Sequence, residues 1–179
     1  MSAVQIQGNA SGTGTLTIAA PNTNTNRTLT LPDNTGTFIT TGRAGTVLQV
    51  VGSTTVGSLG STSTSYVDTT NATVSITPSS ASSKILVTVS GYMLQALVAA
   101  TNINMFAQLL RGSTVLQDTI GYAQSSAGGL QASTPFSFVY LDSPATTSAT
   151  TYKIQQKSST TSSTLTTAGV WIIVQEIAA

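Results

Sequence analysis

Apolar residues recur at every second position along most of this chain, and Val, Ile, Thr, Tyr and Phe carry much of the alternation. A period of two puts alternate side chains on opposite faces of an extended strand, and β-branched and aromatic residues fit such a strand better than a helix. Residues 15–18 and 27–31 alternate cleanly, with Pro21-Asn22-Thr23-Asn24 as a turn between them. A second turn, Pro32-Asp33-Asn34-Thr35-Gly36, precedes a short strand at 37–40. In it Pro sets φ, Asp and Asn bond their own backbone, and Gly accepts positive φ. Longer, more apolar strands are predicted at 72–76, 84–98, 103–111, 114–123, 135–141, 150–157 and 165–177, separated by segments rich in Ser, Gly, Pro and Asp. Strands at that spacing predict an all-β, antiparallel β-sandwich. Residues 93–106 form one exception, since Met, Leu, Gln and Ala there favour a short helical stretch.

The chain reads as three parts: an N-terminal arm over 1–45, a linker strand and Gly/Ser/Thr-rich loop over 46–65, and a sandwich domain over 66–179. A lone hairpin is marginal in water, so the arm needs another surface. Fully extended, its length spans roughly 150 Å, which brings a neighbouring subunit within reach. It either meets such a neighbour or folds back on its own domain. Leu16, Ile18, Leu29, Leu31 and Phe38, with Pro32 at the turn, are its candidate docking residues. Within the sandwich, Val170-Trp171-Ile172-Ile173-Val174 is apolar on both faces. One face of that strand meets its own core. The other, carrying Trp171 and Ile173, meets a partner chain, or else the arm or a loop of its own chain.

Charge is scarce. Six Lys and Arg and five Asp and Glu make up 6% of the chain, where roughly 25% is usual. Ser, Thr, Asn and Gln supply the polarity instead, and they hydrogen-bond without setting up like-charge repulsion between neighbouring molecules. Arg27, Arg43, Lys84, Arg111, Lys153 and Lys157 are scattered singly, which argues against nucleic-acid binding. The longest apolar stretch, around residues 92–100, is far shorter than the ~20 residues a membrane helix needs.

With no His and no Cys, His-based triads, Cys–His pairs and nearly all zinc sites are excluded. The remaining hydrolytic route is a pair drawn from Asp33, Asp68, Asp118, Asp142 and Glu176, and nothing in their spacing sets two at a working separation. No phosphate-cradling loop is present, because the glycines at 8, 12 and 14 precede a strand and no Lys follows them. Asp33 and Asn34 fit a plain turn better than a calcium site. We therefore expect no enzyme activity, no cofactor and no metal. The first residues, Met1-Ser2-Ala3-Val4-Gln5-Ile6, lack the basic and apolar regions of a secretory leader. Three Asn-X-Ser/Thr matches, at Asn9, Asn26 and Asn71, therefore count as chance.

Gly14-Thr15-Leu16-Thr17-Ile18-Ala19-Ala20-Pro21, followed by Arg27-Thr28-Leu29-Thr30-Leu31-Pro32-Asp33-Asn34-Thr35-Gly36-Thr37-Phe38, resembles a module of bacteriophage virion proteins that recurs in tail fibres and capsid decoration proteins. Val67-Asp68-Thr69 through Val74-Ser75-Ile76-Thr77-Pro78-Ser79-Ser80-Ala81-Ser82-Ser83-Lys84-Ile85-Leu86-Val87 looks like the β-sandwich of virion proteins from phages of cyanobacteria and other aquatic bacteria. The resemblance covers about the first half of the chain. It implies a homotrimer with a strand-exchanging arm and jelly-roll-like heads, standing on the capsid or at the tail. Separately, an adhesin-like composition without a secretory leader leads us to expect synthesis in a host cytoplasm and release by lysis to a place on the particle surface. One short arm and one head, without a long stalk, favour a cement protein that bridges major-capsid subunits. The alternative is a short tail fibre recognising host glycan, with Tyr122, Tyr140 or Trp171 as stacking platforms.

Overall fold

In the computed structural model, residues 44–53, 56–97, 102–124 and 130–179 are described, with scattered positions between 11 and 28. The chain divides into two units, Met1–Thr37 and Phe38–Ala179, and the described strands all belong to the second. The arm strands read at 15–18, 27–31 and 37–40 fall wholly or mostly outside the described residues. Leu16, Ile18, Leu29, Leu31, Pro32 and Phe38 all lie there.

Nine strands are described: β1 (Val47–Gly52), β2 (Gly57–Ser61), β3 (Val67–Ile76), β4 (Lys84–Leu97), β5 (Asn102–Arg111), β6 (Thr114–Gln124), β7 (Leu130–Asp142), β8 (Thr150–Ser158) and β9 (Leu165–Ile177). They form two antiparallel sheets. The first runs β1-β9-β4-β7, with β2 also paired to β9, and the second runs β3-β8-β5-β6. Apart from the neighbours β1–β2 and β5–β6, which share a sheet, successive strands alternate between the two sheets. With β1 and β2 as two halves of one edge, this is the jelly-roll arrangement, which manages exposed edges by closing two sheets over one core.

The alternation read from the sequence becomes burial. On the first sheet Ile85, Val87 and Val89 of β4, Phe136 and Phe138 of β7, and Val170, Ile172 and Val174 of β9 face inward. They meet Ala72, Val74 and Ile76 of β3, Ile103, Met105, Ala107 and Leu109 of β5, and Tyr152 and Ile154 of β8. Residues that alternate with them point out. A one-residue slip of any strand would turn its apolar set to solvent, so this core fixes the register.

Two expectations are corrected. The helical stretch within 93–106 does not form, because β4 runs through Leu97 and β5 begins at Asn102. Met93, Gln95, Ile103 and Met105 are buried at alternate positions of those strands. Helix preferences differ by under ~1 kcal/mol per residue, less than burying one such side chain contributes. Residues 57–61, read as part of a loop, form β2 instead and continue along β9 the edge that β1 begins. Ser and Gly suffice there because the backbone ladder, not side-chain packing, holds this strand.

Polar groups tie the sheets together at one end of the core. Arg111, the last residue of β5, donates from one guanidinium nitrogen to both carboxylate oxygens of Asp142 at 2.7 and 2.9 Å, and the Tyr152 hydroxyl donates to Asp142 at 2.7 Å. Asp142 ends β7, so this joins the first sheet to two strands of the second. Burial, followed by the neighbouring Asp142 carboxylate, pushes the Tyr152 hydroxyl far above its ordinary pKa and keeps it a donor. Replacing Arg111 by Met should cost about 3 kcal/mol in urea denaturation, because the Asp142 charge stays buried without its cation. The triple change Arg111→Met, Asp142→Leu and Tyr152→Phe should recover most of that loss, since it leaves no polar group of the cluster buried without a partner.

Candidate docking surface

Strand β9 organises the outer face of the first sheet. It bonds β1 and β2 on one side and β4 on the other, and β4 in turn bonds β7. The register lays outward residues in rows. Val50, Gln175, Leu86 and Leu141 share the first row across β1, β9, β4 and β7, and Gly52, Ile173, Thr88 and Val139 the second. Trp171, Ser90 and Ser137 form the third. Beyond it the ladder shifts register between Ser90 and Tyr92. Gly169 sits opposite this irregularity at φ 63°, and a Cβ there would come within 2.7 Å of the Tyr92 ring. A bulge with this glycine leaves room for the Tyr92 ring to approach the β9 backbone.

The result is a broad apolar surface open to solvent. Six of the nine large apolar residues exposed among the described residues lie on it: Val139 (64%), Val50 (57%), Leu141 (54%), Trp171 (47%), Ile173 (44%) and Tyr92 (39%). Isolated exposed apolar residues are ordinary, but a set gathered on one face makes that face a candidate contact surface. No charged side chain points outward from β9 or β7, and on β4 only Lys84 does so, at the end of the strand, where it reaches Ser143 at 3.4 Å.

The outer face of the second sheet is built differently. Asp68 accepts from Lys153 at 2.9 Å and from Gln155 at 2.7 Å, and Gln108 donates to Gln155 at 2.6 Å. The bonds from Lys153 and then Gln155 hold the Asp68 carboxyl below its ordinary pKa. The Lys157 ammonium lies 4.6 Å from the Tyr66 ring centre and 4.7 Å from that of Phe106. One outer face therefore satisfies itself in water and the other is left apolar.

The position of β1 on this surface depends on a buried carboxylate. Glu176 of β9 has no exposed area. It accepts from the backbone N–H and hydroxyl of Ser79 at 2.7 and 2.6 Å and from the Gln49 amide at 2.6 Å. The same Gln49 amide donates to the Thr77 carbonyl at 2.8 Å, so β1, the segment after β3 and β9 are clasped at one point. Burial alone would raise the carboxyl pKa, but the Ser79 and Gln49 bonds together outweigh it and bring it down to about 2.

Of the carboxylates considered for catalysis, Asp68, Asp142 and Glu176 are engaged in this framework, while Asp118 stands exposed on β6. Asp142 and Glu176 flank Ile85 from β7 and β9, roughly 10 Å apart by strand spacing. Both face inward, one held by Arg111 and Tyr152 and the other by Ser79 and Gln49. Asp68 is spent on Lys153 and Gln155, and Asp33 lies outside the described residues. Among the described residues no three of His, Cys, Asp and Glu gather as a metal site.

Trp171 and Ile173 stand on the outer face and are the only sequence-selected docking residues among the described ones. Val50, Tyr92, Val139 and Leu141 were missed. For β7 the signal was present: Val139 and Leu141 interrupt what would otherwise be a polar outward set. Tyr140, offered as a stacking platform, is instead packed against the core, because it follows Phe136 and Phe138 on the inward face. The side chain of Tyr122 is outside the described set.

No protein-family model and no curated protein matches the chain. Among solved structures it is similar to that of infectious bursal disease virus, Gt strain, with TM-score 0.40 and 13% identity over 71% of this chain and 32% of that one. The VP2 subviral particle of infectious bursal disease virus gives TM-score 0.36 and 12% identity over 73% of this chain and 32% of that one. Dimeric latent PorU from Porphyromonas gingivalis gives TM-score 0.41 and 12% identity over 77% of this chain and 14% of that one. This chain thus spans about a third or less of the length of those it matches. These remote likenesses assign no activity.

The clasp predicts an acid response. Since the folded pKa of Glu176 lies below its ordinary 4.5, its contribution is complete above pH 4.5 and is lost as pH falls toward about 2. Urea denaturation should show stability dropping across that window. Glu176→Gln should be less stable at pH 7 by about 2 kcal/mol, the scale of lost bonds to a charged group, and should show a shallower acid slope.

Proposed function

We propose that this chain is a virion structural protein, a homotrimeric capsid decoration or cement protein of a bacteriophage head. The observation that carries the reading is the contrast between the two outer faces of the sandwich, one apolar and nearly free of charge, the other polar and ion-paired. A molecule built this way works by burying one face. The scarcity of charge along the whole chain supports the same reading, because crowding such subunits on a shell raises little repulsion. The resemblance of residues 14–38 and 67–87 to phage virion modules supplies the class.

In this reading the sandwich unit sits on the particle exterior where major-capsid subunits meet, and adds buried contact area at each junction. The arm exchanges between protomers, its positions Leu16, Ile18, Leu29, Leu31 and Phe38 pairing with strand edges of a neighbour. No nucleic acid, membrane or cofactor takes part. The second reading is a short tail fibre binding host glycan. What favours it is the pair of exposed rings, Trp171 and Tyr92, on one face, because aromatic surfaces of that kind stack on sugars.

Copy number decides between them. Quantitative gel staining of purified particles should give hundreds of copies for a cement protein and at most tens for a fibre. Washing particles with moderate salt should leave the protein attached, since a contact with so few ions is weakly screened. Absence from particles, or release by salt alone, would refute the proposal.

A further inference from the structure

We propose that the outer face of the first sheet is a self-association surface that pairs two copies of this chain face to face, a contact separate from the arm exchange proposed to build the trimer. The inference rests on the reading of the chain as an associating structural protein and names the occupant of the face that reading leaves open.

Three properties of the face argue for a second copy. The first is charge. Two copies of a surface that carries Lys or Asp near its centre bring like charges together, whereas the rows around Ile173 and Thr88 hold none. The second is the kind of polar group present. Thr88, Ser90, Ser137 and Gln175 each donate and accept hydrogen bonds, so each can bond its own equivalent across a symmetry axis. A face holding only donors or only acceptors could not be its own partner.

The third is size. Four strands at the usual spacing, two of them 13 residues long and one 14, span roughly 19 Å by 40 Å, or roughly 750 Å². A stable interface buries roughly 800 Å² on each partner. The face is therefore large enough to hold two copies together without help from another surface. Packing sheet on sheet, side chains such as Trp171, Ile173 and Val139 would interdigitate as they do across the core. The second sheet offers no such surface, since Asp68, Lys153 and Lys157 stand on it.

The absence of cysteine makes the test clean. Thr88 is exposed at the centre of the face, in register with Ile173 on one side and Val139 on the other. Ser75 is exposed on the outer face of the second sheet, opposite Thr151. Full-length Thr88→Cys and Ser75→Cys are treated separately with a short bis-maleimide at equal concentration, and the covalent products are counted by gel. The expected result is that most Thr88→Cys chains cross-link while Ser75→Cys chains do so at least tenfold less. Adding Ile173→Asp to Thr88→Cys should lower cross-linking tenfold or more and reduce the mass seen by light scattering, with circular dichroism confirming an intact β-fold.

Equal cross-linking at the two positions would overturn the inference. So would an oligomer in light scattering that Thr88→Cys fails to trap, or a monomer at all concentrations. A protein abundant on particles that does not cross-link through Thr88 leaves the virion reading standing and sinks this one. Cross-linking through Thr88 by a protein absent from particles does the reverse.

Discussion

The fold depends on burying the inward residues of strands that alternate with period two, and that requires two sheets facing each other about 10 Å apart. Neither sheet is stable without the other, because each presents a complete apolar face. Strand β9 is where this constraint concentrates. It supplies Val170, Ile172 and Val174 to the core, bonds three other strands, and carries Trp171 and Ile173 on its other side. A strand apolar on both faces and central in its sheet leaves the molecule with one buried surface and a second still open.

Buried polar groups complete the framework where hydrophobic packing ends. At one end Arg111, Asp142 and Tyr152 join the two sheets, and Glu176 with Gln49 and Ser79 clasps β1 onto β9. Elsewhere in the core the buried Gln95 amide donates to Ser158 and Ser163, and Gln156 donates to the Leu59 and Leu165 carbonyls. These bonds use scarce charges or neutral amides inside the molecule, where an unpaired group would cost most. Asp142 and Glu176, which might have served chemistry, are committed to architecture instead.

Solubility and association follow from how the remaining polarity is distributed. The second sheet spends Asp68, Lys153 and Lys157 on its outer face, where pairing and aromatic contacts satisfy them. The first sheet keeps mainly neutral hydroxyls and amides among its exposed apolar side chains, with Lys84 at one end of β4. Water wets one side of the sandwich well and the other poorly. This asymmetry is the feature on which the proposed role in a shell rests, since a shell subunit needs one face for its neighbours and one for solvent.

Much of this was legible in the residues themselves. Alternation, turn residues and the double-sided run at 170–174 determined a β-sandwich, the position of seven strands to within a few residues at most ends, and Trp171 and Ile173 on the side of their strand turned away from its core. Those features are local, so a linear reading reaches them. Strand β2 was not legible, and the helical preference read over 93–106 misled beside the strand read over 84–98, since backbone pairing and burial overrode weak local preferences there. Only the tertiary structure decided that Val50, Tyr92, Val139 and Leu141 join Trp171 and Ile173 on one face, and that Asp142 and Glu176 point inward to structural partners. Those facts depend on which strands become neighbours and in what register, and residues some 120 positions apart in the chain meet only when the sheet closes.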